Sequence, residues 1–311
     1  MQNHISQSRT FRMVRKKRPR AILAIFLLLA AIEVSFYSGE AIANTQKTFL
    51  WRVQSKTNTV YILGSIHFMK PDIYPLDKKI EDAFDKSQVL AVEADVNDAS
   101  KLDIQKLMDK AFYRGDDALE KHVSGETYEL VKKEFAGSGI LLDLMNRQKP
   151  WFLAMTLTSL KLVQLGFDPT YGIDMHFLSE AEGKKRIVEL ESVDYQINLL
   201  SGFSDKEQEA FLLYTLDELK TLGQEVNELV RAWKSGDTQT IESLLAKSGN
   251  KGMSSLNEKI LYERNRHMVS RIEDYLRAEE TYFVIVGAGH LVGNKGIVEM
   301  LKGKGYSVEQ L

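Results

Sequence analysis

The chain has 311 residues, with 41 basic and 43 acidic side chains, 44% hydrophobic residues and no cysteine. Disulfides and thiolate metal sites are thereby excluded, and the fold must rest on its apolar core. Setting aside residues 1–43, with seven basic and two acidic side chains, leaves 34 basic against 41 acidic, a net of about −7; such an acidic body argues against nucleic acid or an anionic membrane as partner.

The amino terminus reads as an export signal. A basic stretch (Arg9, Arg12, Arg15, Lys16, Lys17, Arg18, Arg20) precedes twelve apolar residues, Ala21–Ile32, and Ala41-Ile42-Ala43 supplies a small-x-small end. A membrane-spanning helix wants about 20 apolar residues, and Glu33 interrupts this run. The expectation is a signal peptide over residues 1–43 and an exported protein beginning at Asn44, periplasmic in a Gram-negative bacterium. The alternative is a retained anchor. No linker divides residues 44–311, which are expected to form a single domain.

In chain order, Phe49–Gln54 and Thr59–Leu63 flank Ser55-Lys56-Thr57-Asn58 and predict a hairpin. The second run continues into Gly64-Ser65-Ile66-His67, a strand ending in G-x-x-H. A glycine there permits positive φ or close backbone approach, and the histidine falls where open α/β sheets place ligand crevices. Val89–Val92 predicts a buried strand with Glu93 directly after it. A helix starts near Trp151 behind Pro150 and stops before Gly166 and Asp168-Pro169. Asp174 opens the next helix, where it suits the helix dipole and alternatively projects into a site. Ile187–Leu190 is another short buried-strand run, and Ser204-Asp205-Lys206-Glu207 is a capping box.

From Leu256 to Leu276 an apolar face runs through Ile260, Leu261, Met268, Ile272 and Leu276. At 100° per residue Arg264 and Asn265 fall inside it, while His267 at its edge reads as structural. A core-facing arginine needs a buried anion. The structural candidate is Glu189 or Glu191; the functional one is the metal-site carboxylate or a substrate oxyanion. Phe283–Val286 then leads into Gly287-Ala288-Gly289-His290, repeating strand plus G-x-x-H 223 residues after His67, and Tyr306–Val308 closes the chain. Few strands among long helical stretches (about 97–181 and 192–278) predict an α/β (α+β) fold with a small mixed sheet assembled from distant segments.

His67, His290 and Glu93 form a two-His, one-carboxylate set that leaves coordination positions open for water and substrate. Nitrogen and oxygen donors without sulfur suit Mn²⁺, Co²⁺, Fe²⁺ or Zn²⁺. H-E-x-x-H, G-x-S-x-G and the Walker phosphate loop are all absent. The glycines at 287, 289 and 293 have the wrong spacing for a dinucleotide loop.

Leu63-Gly64-Ser65-Ile66-His67, Val92-Glu93-Ala94-Asp95, Gly172-Ile173-Asp174, Leu190-Glu191, Arg264-Asn265 and Gly287–Gly293, in this order over about residues 48–311, resemble the TraB/GumN (Tiki-like) family, bacterial secreted branch. The resemblance implies a fold shared with erythromycin-esterase-like and ChaN-like haem-uptake proteins. Through the animal Tiki branch it implies a metalloprotease using Mn²⁺ or Co²⁺. It places His67 and His290 on the family's histidines, Glu93 on its glutamate and Arg264 on its arginine. The expected function is a metal-dependent hydrolase of peptide or other envelope substrates. His67 and His290 would be ligands, Glu93 a ligand or general base, and Glu191 the other candidate base. Arg264 would stabilise developing charge, with Asn265 and Asp174 at the substrate. The rival reading is a non-catalytic periplasmic binder of haem or an envelope or polysaccharide component.

Overall fold

One mixed sheet gathers strands from both halves of the chain. The computed structural model describes residues 47–98, 100, 102–136, 142–248 and 253–311; the basic-apolar leader lies outside the described residues. Strands β1 (Leu50–Gln54), β2 (Thr59–Ser65), β3 (Val89–Val92), β4 (Arg186–Glu189), β5 (Tyr282–Gly287) and β6 (Ser307–Gln310) lie in the order β4-β3-β5-β2-β1-β6. β4, β3, β5 and β2 are mutually parallel, and β1 runs antiparallel to both β2 and β6. The expected hairpin is β1–β2, with Leu50 opposite Leu63 and Gln54 opposite Thr59. The mixed α/β architecture and the assembly from distant segments agree with the expectation.

Every residue of β3 and β5 is buried, which parallel strands require when helices cover both faces. The Ile187 run behaves differently from the buried strand expected of it. It forms β4, shifted by one residue, and its residues are partly or fully exposed because β4 is the sheet's edge. Phe84, Phe177 and Phe283 pack together beneath the sheet, with ring centroids 4.8–5.5 Å apart.

The chain between β3 and β4, and between β4 and β5, is helical. The helix behind Pro150 spans Pro150–Gln164, and the Ser204 capping box opens Asp205–Glu218 with both reciprocal bonds present. Helices Ile104–Ala111, Pro150–Gln164 and Val193–Ser201 share an apolar cluster that includes Leu107, Trp151, Met155, Ile197 and Leu200. No helix among the described residues is long and apolar enough to cross a membrane.

The segment before Arg264 departs from the assumed 100° periodicity. Glu258–Glu263 is a π-helical turn, and the regular helix begins at Arg264 and runs to Arg277. Arg264 and Asn265 are nevertheless buried, at 2% and 0% exposure.

Candidate functional site

Each of the four parallel strands delivers one candidate residue just beyond its carboxyl end. Across the sheet, β4 leads to Glu191, β3 to Glu93, β5 to His290 and β2 to His67. Such ends are where open α/β sheets form ligand crevices. The pairing extends past the strands: Leu190 N–H donates to Val92 O at 2.8 Å and Glu191 N–H to Glu93 O at 2.9 Å.

Gly64 and Gly172 act through space rather than through positive φ. A Cβ on Gly64 would stand 2.4 Å from the Phe49 ring. Gly287 has φ −51°, and its N–H donates to Glu93 Oε1 at 2.6 Å. Gly172 is tightest, for a Cβ there would lie 2.3 Å from the His67 carbonyl oxygen. That absence of a side chain lets the helix Ile173–Ala181 start against His67, with Ile173 N–H donating to Ile66 O at 3.1 Å.

Asp174, in the first turn of this helix, caps nothing with its side chain. Instead its Oδ2 lies 2.7 Å from His67 Nδ1, so it holds that imidazole. Burial lowers the His67 pKa, but the Asp174 charge and hydrogen bond, aided by Glu93, outweigh it and raise it to about 9.

His290 is set in the opposite way. It is fully buried, and its Nδ1 lies 2.5 Å from Asn265 Oδ1. Asn265 Nδ2 donates to Lys295 O at 2.8 Å, so Oδ1 is the acceptor and His290 Nδ1 carries the proton. Burial, followed by the Arg264 charge, lowers the His290 pKa to about 3. The ring is therefore neutral. Its Nε2 has a free lone pair, no hydrogen-bond partner, and Glu93 Oε1 at 3.7 Å. Asn265, expected at the substrate, is thus placed behind His290.

Arg264 joins the two carboxylates. Its Nη2 donates to Glu93 Oε2 and to Glu191 Oε2, its Nε to both Glu191 oxygens at 3.0 Å, and its Nη1 to Ile260 O at 3.0 Å. The π-turn carries that Ile260 carbonyl, consistent with the frequent occurrence of such turns at functional sites. Burial raises the Glu93 pKa, but the Arg264 charge, the protonated His67 and the Gly287 N–H outweigh it and hold it at about 2. Arg264 therefore has both expected partners at once, a structural carboxylate and the site carboxylate.

Gln196 was not anticipated. Its Nε2 donates at 3.2 Å to both Glu93 Oε2 and Glu191 Oε2. A glutamine on a half-exposed helix face has no sequence mark to single it out.

His67, Glu93, Asp174 and Gln196 line one cavity of about 90 Å³. Among the described residues no three His, Asp or Glu side chains already stand as a metal cage. The chemistry of the donors nonetheless suits a divalent ion beside His290 and Glu93. Each histidine has its Nδ1 engaged by a second group, as metal-ligating histidines do. Donors about 2.0–2.1 Å from a tetrahedral ion stand roughly 3.3 Å apart, close to the 3.7 Å between His290 Nε2 and Glu93 Oε1.

The TraB/PrgY/gumN family model matches residues 49–310. The uncharacterized protein YbaP of Escherichia coli K12 is 29% identical over 78% of this chain and 87% of its own length. A metalloprotease TIKI homolog of Amphimedon queenslandica is 24% identical over 94% of this chain and 68% of its own, and metalloprotease TIKI1 of Xenopus tropicalis 23% over 92% and 67%. No solved structure matches significantly. With a match spanning nearly all described residues and the ordered motifs gathered at one sheet end, the chain belongs to the TraB/PrgY/gumN family.

Proposed function

We propose that this protein is a metal-dependent hydrolase acting on peptide bonds in an exported compartment, with His67, His290 and Glu93 holding one divalent ion, Mn²⁺ or Co²⁺ before Fe²⁺ or Zn²⁺. The observation that carries this reading is His290: a fully buried, neutral imidazole whose unpartnered Nε2 faces the Glu93 carboxylate. An unsatisfied buried acceptor is costly, and a cation between it and Glu93 removes that cost. The TIKI relatives named as metalloproteases support the same direction.

His67, His290 and Glu93 would hold the ion, which would supply an acidified water and a Lewis acid for a substrate carbonyl. Asp174 and Asn265 orient the two imidazoles. Glu93, with its pKa held down to about 2, is a weak base, since an effective general base is tuned near the working pH; we assign it as a ligand. Both Glu191 oxygens accept from Arg264, which makes Glu191 an anchor rather than a base. Arg264 faces the carboxylates from behind and acts as a positioning residue. A haem-binding role is disfavoured, because His290 is fully buried and the cavity beside His67 is only about 90 Å³.

The test is a peptide-pool cleavage screen with Mn²⁺ or Co²⁺, run beside His67→Ala and His290→Ala. Cleavage should stop with a chelator and fall at least about 100-fold in each variant, since even outer-shell losses reach 10–100-fold. Cleavage that persists in the chelator and in both variants would overturn the assignment.

A further inference from the structure

Beyond its polar end the cavity is apolar. Val96, Leu107, Phe152, Met155, Ile197 and Leu200 form its wall, drawn from the loop after β3 and from three helices. The wall begins beside the polar groups, because Ala94 and Met175 also line it and directly follow Glu93 and Asp174. One residue step is about 3.8 Å. A group seated on this wall therefore neighbours whatever bond lies at Glu93 and His67.

Size narrows the occupant. At about 90 Å³ the cavity is smaller than the roughly 150 Å³ cavity known to accommodate benzene. A compact branched aliphatic side chain suits that space better than an aromatic ring or a long acyl chain. A charged side chain would be desolvated there without a partner.

Resting on the hydrolase reading above, we infer that this pocket is the specificity pocket of the site, and that it selects peptide substrates with a leucine-sized aliphatic side chain next to the scissile bond. Burying such a side chain should give a preference of roughly 10- to 100-fold over glycine.

Binding separates this from catalysis. In metal-free protein labelled at the methionine methyls, N-acetyl-leucinamide should shift the Met155 signal. It should bind roughly 10- to 100-fold tighter than N-acetyl-glycinamide, with N-acetyl-phenylalaninamide and decanoate weaker than the leucine probe. Val96→Asp, at a position 39% exposed at the mouth and so compatible with folding, should weaken the leucine probe at least tenfold, and Leu107→Phe should fill the pocket. Equal binding of all probes, tighter binding of decanoate, or no Met155 shift overturns the inference. If the leucine probe binds and both variants lose it, yet no leucine peptide is cleaved with Mn²⁺ or Co²⁺, the pocket stands and the hydrolase reading falls. Metal-dependent cleavage indifferent to the neighbouring side chain does the reverse.

Discussion

At the residue scale, the two histidines are held in different protonation states by different partners. His67 has a folded-state pKa of about 9 against an ordinary 6.5. A raised histidine contributes stability that is fully present below pH 6.5 and is lost as pH rises to about 9. The metal-free protein should therefore lose stability over that window, and His67→Gln should flatten the slope. His290, at about 3, has no proton to lose there. Metal binding at pH 6, below the pKa near 7 of a metal-bound water, should then release about one proton, from His67 alone. Calorimetry in buffers of different ionisation enthalpy reads that number directly; release of none, or of two, contradicts the assignment.

Arg264 separates positioning from direct chemistry. Arg264→Met leaves Glu93 and Glu191 buried together without a counter-charge, which should cost about 3–5 kcal/mol in urea unfolding and weaken metal affinity. Arg264→Lys keeps the charge but not the planar fork, so it should lie between. An Arg264→Met protein with unchanged unfolding would contradict the pairing. Much at this scale was legible in the sequence: polar residues inside an apolar stripe marked Arg264 and Asn265, and a G-x-x-H after each of two apolar runs marked the histidines. Gln196 was not, because its amide matters only once β3 and β4 bring two carboxylates beside it.

At the element scale, strand ends and helix starts place the chemistry. Gly172→Ala puts a methyl 2.3 Å from the His67 carbonyl, so the helix carrying Asp174 must retreat. That should lower the melting temperature and cut metal affinity together, whereas Gly183→Ala, with nothing within 4 Å of its added Cβ, should leave metal affinity unchanged despite its strained φ of 70°. Equal metal affinity in both variants would show that the approach is not what positions Asp174. The element starts were readable from caps and from Pro150. The π-turn at Glu258–Glu263 was not, since the same residues fit a 3.6-residue period. Nor was the edge position of β4, whose apolar run looks the same in a central strand.

At the scale of the whole molecule, the strand order was out of reach of local pattern, because β5 pairs with β2 and β3 across most of the chain length. That order makes β5 the strand between the two that carry His67 and Glu93. In chain order it comes after β1, β2, β3 and β4. A growing chain thus carries His67 and Glu93 on strands with no shared neighbour until β5 has been made. Only when Tyr282–Gly287 wedges between them do the parts meet, and the same segment brings His290 with it. The activity proposed above would thereby be silent in a nascent chain until β5 has been made and docked, a safeguard built into the strand order itself.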